Sequence, residues 1–434
     1  MQPDFDVIVV GGRPAGSTLA ARLGKYGYRV LLLERAELPS LPAASSPIIY
    51  AATMKMLDEI GVDEAVYAYN TPRIRAMSLH STAFQADLTL PDDGGRNYAY
   101  AIDRARFDAA LWETAAGYPT VTAMQGFNVT DLIWQGAAVV GVQGKDANGN
   151  PHTFRARVLV GADGRFSLVA RKTNAQTTDE HHENPTSLLY AYWRDLAPYH
   201  ADGSAASVAY EGEPGIGYLV MDSADNTAAV VIEGRAEMVN PGAGQAETFY
   251  LEKLSQLPAL WARLHDAEMI TSVRGMRRVG NCYRQPGGAG WALVGDAYHQ
   301  KDPLDGQGIY NAVFTAKALA WAIRYWLQDE KTWDEALTWY DETARIKTYA
   351  MYKSVLNRVQ VSLYPQNQPP EWLQNTVGRW MMEDPALHSL FGRFITRQMP
   401  ADMMRLMTPP VLAGAVVRGG LRDLRQRVRA RLPF

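Results

Sequence analysis

The chain has 434 residues, a formal net charge of -3, 47% hydrophobic and 21% charged residues, the balance of an ordinary globular protein with room for two or three lobes. That balance excludes nucleic acid or another polyanion as a general partner, and the single cysteine, Cys282, excludes an internal disulfide or a thiolate metal cluster. No run approaches the roughly 18 apolar residues of a membrane span and no charged leader precedes an apolar core, so a cytoplasmic protein is expected.

In chain order, Phe5 to Val10 reads as a buried parallel strand, Ala15 to about Lys25 as a helix with Leu19 and Leu23 one turn apart, and Arg29 to Glu34 as a second strand. This is a β-α-β unit. Helical patterns follow in "YAATMKMLDEIGV" and in "RARFDAALWETAA", where Phe107, Leu111 and Ala115 share a face. Residues 120 to 160 alternate as short strands around an Asn-Gly turn. From about 176 the texture changes to isolated strands, "SLLYAYWRDL", "GIGYLVMD" and "TAAVVIEG", and one helix is expected from about Gln245 to His265. After "GWALVGDAY" the chain is helical through Asn311 to Leu327 and Trp333 to about Val359, with a Met-rich, Pro-punctuated end from about Pro365. The stripe Trp333, Leu337, Tyr340 and Ala344 fits core packing.

The turn inside the β-α-β unit, "GGRPAG", has the spacing of a nucleotide-binding Gly-x-Gly-x-x-Gly loop, with Gly11 and Gly16 in place and Arg13 where the middle glycine usually stands. Pro14 starts the helix, a position that tolerates a missing N–H, and Ala15 and Gly16 leave the positive helix end open to phosphate. Glu34, 23 residues after Gly11, is placed for an adenosine ribose. Alone, this loop does not choose between FAD and NAD. Arg13 adds a planar cation suited to phosphate or to stacking on a ring.

Two further stretches follow: "VLVGADGRFSLVAR", with Asp163, and "GWALVGDAYHQKDPLDGQGIYNA", with Gly295 and Asp296. In each, a hydrophobic strand delivers an acid beside a glycine. In this order and spacing the three motifs resemble the FAD-dependent monooxygenases of the para-hydroxybenzoate hydroxylase type, a superfamily that includes flavin-dependent halogenases and geranylgeranyl reductases. The resemblance covers residues 4 to about 330. It implies an α/β fold: a Rossmann-like FAD-binding domain (1–75, 100–175 and 280–360), a smaller sheet-based substrate domain (76–99 and 176–279) and a helical C-terminal region (361–434).

The resemblance implies that the first loop, Glu34 and Arg35 hold the ADP half of FAD and that Arg104 lies along the cofactor. It further implies that Asp296 holds the ribityl chain and that Pro303, Gly306, Gln307, Gly308 and Ile309 face the isoalloxazine ring. By the same resemblance, Asp163 is expected to be tied to both flavin and NADH or NADPH use. His299 is set beside the flavin, as a proton carrier or as a packed histidine. Asp302 and Asp305 stand where relatives often have proline and glycine, and they either orient substrate and accept a proton or cap the helix at Gly308. Tyr190, Tyr192, Arg194, Tyr210 and Tyr218 are the expected substrate wall.

The activity implied is hydroxylation of an aromatic or polycyclic small molecule by way of a flavin hydroperoxide, with O2 and a transient NAD(P)H or a separate flavin reductase. The Trp-x-Trp-x-Ile-Pro stretch of halogenases is absent, and "YAYWRDL" lacks the Tyr-x-Trp-x-Phe-Pro element of the reductases. Reduction of carbon-carbon double bonds stands as the alternative. His181 and His182 sit on an irregular stretch and no metal is expected. From Arg418 onward six arginines face only Asp423, which reads as a solvated terminal helix, with a helix lying on a membrane as the other reading.

Overall fold

Val7 to Val10 and Val30 to Leu33 are aliphatic on every residue and buried on both faces, as parallel strands covered by helices require. The computed structural model describes residues 3–41, 46–366, 370–399 and 408–429. Its first sheet runs Gly287–Gly288, Trp291–Leu293, Pro151–Gly161, Phe5–Val10, Val30–Leu33 and Val121–Met124. The strands ending the three motifs are parallel neighbours, with Val10 opposite Leu33 and Gly161, and Gly161 opposite Leu293. Three distant sequence motifs therefore end at one edge of one sheet. That edge lies at the carboxyl ends of the strands, where open α/β sheets bind ligands.

The second sheet runs Glu268–Met269, Thr186–Arg194, Thr227–Arg235, Ile216–Asp222, Ser207–Glu211, Ala76–His80 and Gln85–Thr89. Helices Ala246–Ser255 and Pro258–Leu264 cover one of its faces, in a core that includes Trp193, Val230, Ile232, Tyr250 and Leu260. These two helices replace the single helix expected from Gln245 to His265. Pro258 divides them: it has no N–H to continue the ladder, and it forces Leu257 into extended backbone at φ -111, ψ 92. The opposite face meets Ile48, Tyr50 and Ala101 of the first lobe.

Helix Trp333–Arg358 buries Leu337, Tyr340 and Ala344. Helices Glu371–Met382, Pro385–Ile395 and Pro409–Arg429 form the C-terminal region. This region is tied to both lobes: His388 Nε2 accepts from the Thr89 amide at 3.0 Å, and Gln307 Nε2 donates to the Ile395 carbonyl at 2.8 Å.

Candidate functional site

Gly11 has φ +104, and a Cβ on it would stand 2.5 Å from the Ala162 carbonyl oxygen. On Gly16 a Cβ would lie 1.7 Å from the Gly11 oxygen, and on Gly12 it would enter the Trp112 ring at 2.4 Å. The close approaches are thus made by Gly11, Gly12 and Gly16. Arg13 has extended backbone (φ -88, ψ -167), which any residue adopts, so the loop does not need glycine there.

Helix Pro14–Lys25 begins without a side-chain cap and without an acidic residue in its first turn. The amides of Ala15 and Gly16 are left with the positive helix end, a backbone anion site. The Arg13 guanidinium is held elsewhere: it donates to Asp108 at 2.6 Å and to Ser40 Oγ at 3.0 Å. Arg104, buried, donates to the same Asp108 at 3.0 Å. Glu34 accepts from the amides of Gly12 at 2.7 Å and Ala36 at 2.9 Å, tying the loop to the second strand, and Arg35 is exposed beside it.

The second and third motifs close on this loop. A Cβ on Gly295, which has φ +61, would stand 2.7 Å from the Ala15 Cβ. Asp163 accepts from Ser167 Oγ at 2.5 Å and from the Leu168 amide at 2.6 Å, so its carboxylate holds the start of helix Leu168–Lys172, while burial raises its pKa. Asp296 is one-third exposed and pairs with Arg165 Nε at 3.1 Å; Arg165 also donates to the Lys301 carbonyl at 2.7 Å. Sequence reasoning passed over Arg165, although it stands in "GADGRF".

Gly306, at φ +64, ends the turn Pro303–Asp305, and helix Gly308–Leu327 starts two residues later with no side-chain cap from Gln307. Nothing lies within 4 Å of where a Gly308 Cβ would stand, while Ile309 is buried. Two uncapped helix starts, at Pro14 and Gly308, thus serve one edge of the sheet. This donor set fits a flavin dinucleotide: the first helix start for its pyrophosphate, the second for the electron-rich edge of its ring.

Asp302 and Asp305 do not cap the helix at Gly308. Asp302, fully buried, accepts from the Leu304 amide at 3.0 Å and from Thr186 Oγ1, and Asp305 accepts from the Gln307 amide at 3.1 Å. Both therefore shape the turn before that helix. Asp305 also pairs with buried Lys301 and stands 4.0 Å from Arg397, whose guanidinium lies over the Tyr310 ring. His299 is buried, stacks on Tyr283 with centroids 3.8 Å apart and shares Nδ1 with the Cys282 carbonyl at 3.3 Å. Burial holds it well below the usual histidine range, as a neutral ring.

Asp302 faces Glu233, a buried acid on strand Thr227–Arg235 that sequence reasoning missed. The signal was present, since Glu233 is the one charge in "TAAVVIEG". Burial first, and then Asp302, push the Glu233 carboxyl well above its ordinary range, with Asp305 adding to the rise and Arg358 opposing it. The folded carboxyl binds its proton more tightly than the unfolded one. Its contribution to stability is complete below the ordinary value of 4.5 and is lost as pH rises through the raised folded value. Glu233→Gln, fixed in the neutral form, is expected to flatten the fall of melting temperature as pH rises above the ordinary value of 4.5. A slope equal to that of the parent protein would refute the raised Glu233 carboxyl.

Tyr190 and Tyr192 lie on the face of the second sheet that meets Ile48, Tyr50 and Met221, with ring centroids 6.2 Å apart. Tyr210 and Tyr218 do not belong to this wall. They belong to the core on the other face, where Arg263 donates to the Tyr210 hydroxyl at 3.0 Å and the Tyr218 hydroxyl donates to the Lys253 carbonyl at 3.3 Å. Strand alternation puts them there, because Tyr210 and Tyr218 oppose each other and Tyr218 opposes inward Ile232. Arg194, exposed at the strand end, pairs with Glu268 at 3.4 Å and is also outside the wall.

The family described as "FAD binding domain" matches residues 4–353. The chain belongs to that family. FAD is therefore its cofactor, and the two uncapped helix starts are the candidate features to receive it. This FAD-binding chain is 28% identical over 321 residues to a digeranylgeranylglycerophospholipid reductase of Methanococcoides burtonii, covering 72% of each. It is 26% identical to a probable NADH-specific resorcinol 4-hydroxylase of Rhodococcus jostii, covering 73% of this chain and 58% of that protein. In fold it is similar to the flavin-dependent brominase Bmp2, with a TM-score of 0.78 at 18% identity, covering 96% and 99% of the two chains.

Proposed function

We propose that the protein is an FAD-dependent monooxygenase that hydroxylates an aromatic or polycyclic small molecule, with NADH or NADPH as electron donor. The observation that carries this reading is the placement of the buried Tyr190 and Tyr192 face, from the second sheet, against the lobe that holds all three flavin motifs. Bound FAD supplies the passage of electrons from nicotinamide to O2 and the delivery of one oxygen atom. The chain's own part is to bind and exclude. The helix start at Gly308 offers amides to negative charge on the ring edge, Tyr190 and Tyr192 offer aromatic surface to a flat substrate, and the lobes packed around them keep water out. The similarity to a resorcinol hydroxylase supports this reading.

Reduction of a carbon-carbon double bond is the second reading, favoured by the similarity to a digeranylgeranylglycerophospholipid reductase. Mass analysis separates the two. The yellow protein, given NAD(P)H and a panel of phenols and polycyclic aromatics under isotopically labelled O2, is expected to add one labelled oxygen atom to a ligand that accelerates NAD(P)H oxidation. A gain of two hydrogens without oxygen would move the assignment to the reductase. No oxidation, even with an added flavin reductase, would overturn both.

A further inference from the structure

Helix Pro409–Arg429 is packed the wrong way round for a helix that serves only its own fold. Its inward face is made of small residues: Ala415 is fully buried, and Gly419 lies so flat on Trp380 that a Cβ there would fall 2.2 Å from the indole Cγ. From Val417 onward its large aliphatic side chains point away. Val417, Leu421, Leu424 and Val428 are 60%, 48%, 58% and 51% exposed. At about 100° per residue these four fall within about 60° of one another, with Arg425 on one flank and Arg427 on the other.

The orientation is fixed rather than loose. Arg418 pairs with buried Asp384 at 2.7 Å, Asp423 with Arg379 at 2.5 Å, and Arg422 with Glu383 at 3.2 Å, all on the two preceding helices or the short link between them. Asp423 also accepts from the Trp380 indole at 3.0 Å. These ties consume the helix's only acid and two of its arginines. Arg425 and Arg427 stay exposed, with no ion-pair partner within 4 Å among the described residues. An apolar stripe with a cation on each shoulder is the pattern of a helix that lies in a membrane interface, aliphatics in the acyl region and arginines reaching up to phosphates. No helix of the described residues is long and apolar enough to cross a membrane, so this one would lie on the surface.

We propose that this helix docks the protein on an anionic lipid surface through Val417, Leu421, Leu424 and Val428, with Arg425 and Arg427 engaging lipid phosphates. Charge selects this occupant over a second copy of the chain. Two copies pairing stripe to stripe would set arginine shoulders against arginine shoulders, whereas an anionic bilayer complements both.

The test is co-flotation of the full-length FAD-loaded protein with vesicles of phosphatidylcholine alone or mixed with phosphatidylglycerol. Binding to the mixed vesicles, weakened by salt and much weaker on phosphatidylcholine alone, is expected. The double variant Leu421→Glu with Leu424→Glu should abolish it, and Arg425→Gln with Arg427→Gln should weaken it about 30-fold. All four positions are exposed, so FAD content and melting temperature should stay at parental values and report that the variants are folded. Absence of binding to the mixed vesicles overturns the proposal, as does binding that survives the glutamate substitutions. A dimer in gel filtration that those substitutions dissociate, without vesicle binding, would assign the stripe to a second copy instead.

Discussion

Gly16→Ala is expected to yield protein purified without FAD and destabilised by about 3 kcal/mol or more. The added Cβ would stand 1.7 Å from the Gly11 carbonyl oxygen. That oxygen cannot step aside, because its residue is fixed on two sides: the Gly11 amide donates to the Leu33 carbonyl at 2.7 Å, and a Cβ on Gly11 itself would already stand 2.5 Å from Ala162. The helix must move instead, carrying its free first-turn amides away from the strand end where a pyrophosphate would sit. Gly308→Ala is the control. Nothing lies within 4 Å of its Cβ, so the apoprotein should melt like the parent, and any loss of FAD affinity reports a clash with ligand rather than with protein. Absorbance of the purified protein and thermal melts with and without added FAD measure both. Parental FAD content in Gly16→Ala would show that the loop is not the cofactor's seat.

The parts of this molecule that local chemistry determines are legible in the amino-acid sequence. Strand Phe5–Val10 and the glycines at 11 and 16 follow from burial and steric contact within a single β-α-β unit, so their pattern is compact in the chain. What long-range pairing determines is not legible in the same way. Glu233 meets Asp302 and Arg397 meets Asp305 across 69 and 92 residues, and nothing near either residue specifies its partner. The substrate wall misleads for a different reason. Tyr210 and Tyr218, on strands Ser207–Glu211 and Ile216–Asp222, are as buried as Tyr190 and Tyr192 on strand Thr186–Arg194, so burial does not mark which tyrosines face the flavin lobe and which face the helices behind.

Asp108→Ala is expected to cost about 3–5 kcal/mol, because it strands two cations in a site with little water. Asp108 is fully buried and accepts from Arg13 Nη1 at 2.6 Å and from Arg104 Nη2 at 3.0 Å, and Arg104 is itself only 4% exposed. The pair Arg104 and Asp108, one helical turn apart, is visible in the sequence; the third member is not. Arg13→Gly should be milder, since the Arg13 side chain is 26% exposed and its loss leaves Asp108 paired with Arg104. Its effect should fall on FAD retention, through the lost tie to Ser40, more than on global stability. Urea unfolding of the two single variants and the double variant measures the coupling. If Asp108→Ala unfolds within about 1 kcal/mol of the parent, the cluster is not a structural clamp. Strong coupling between the two sites would show instead that Arg13, standing where a glycine was expected, acts through Asp108 rather than through phosphate.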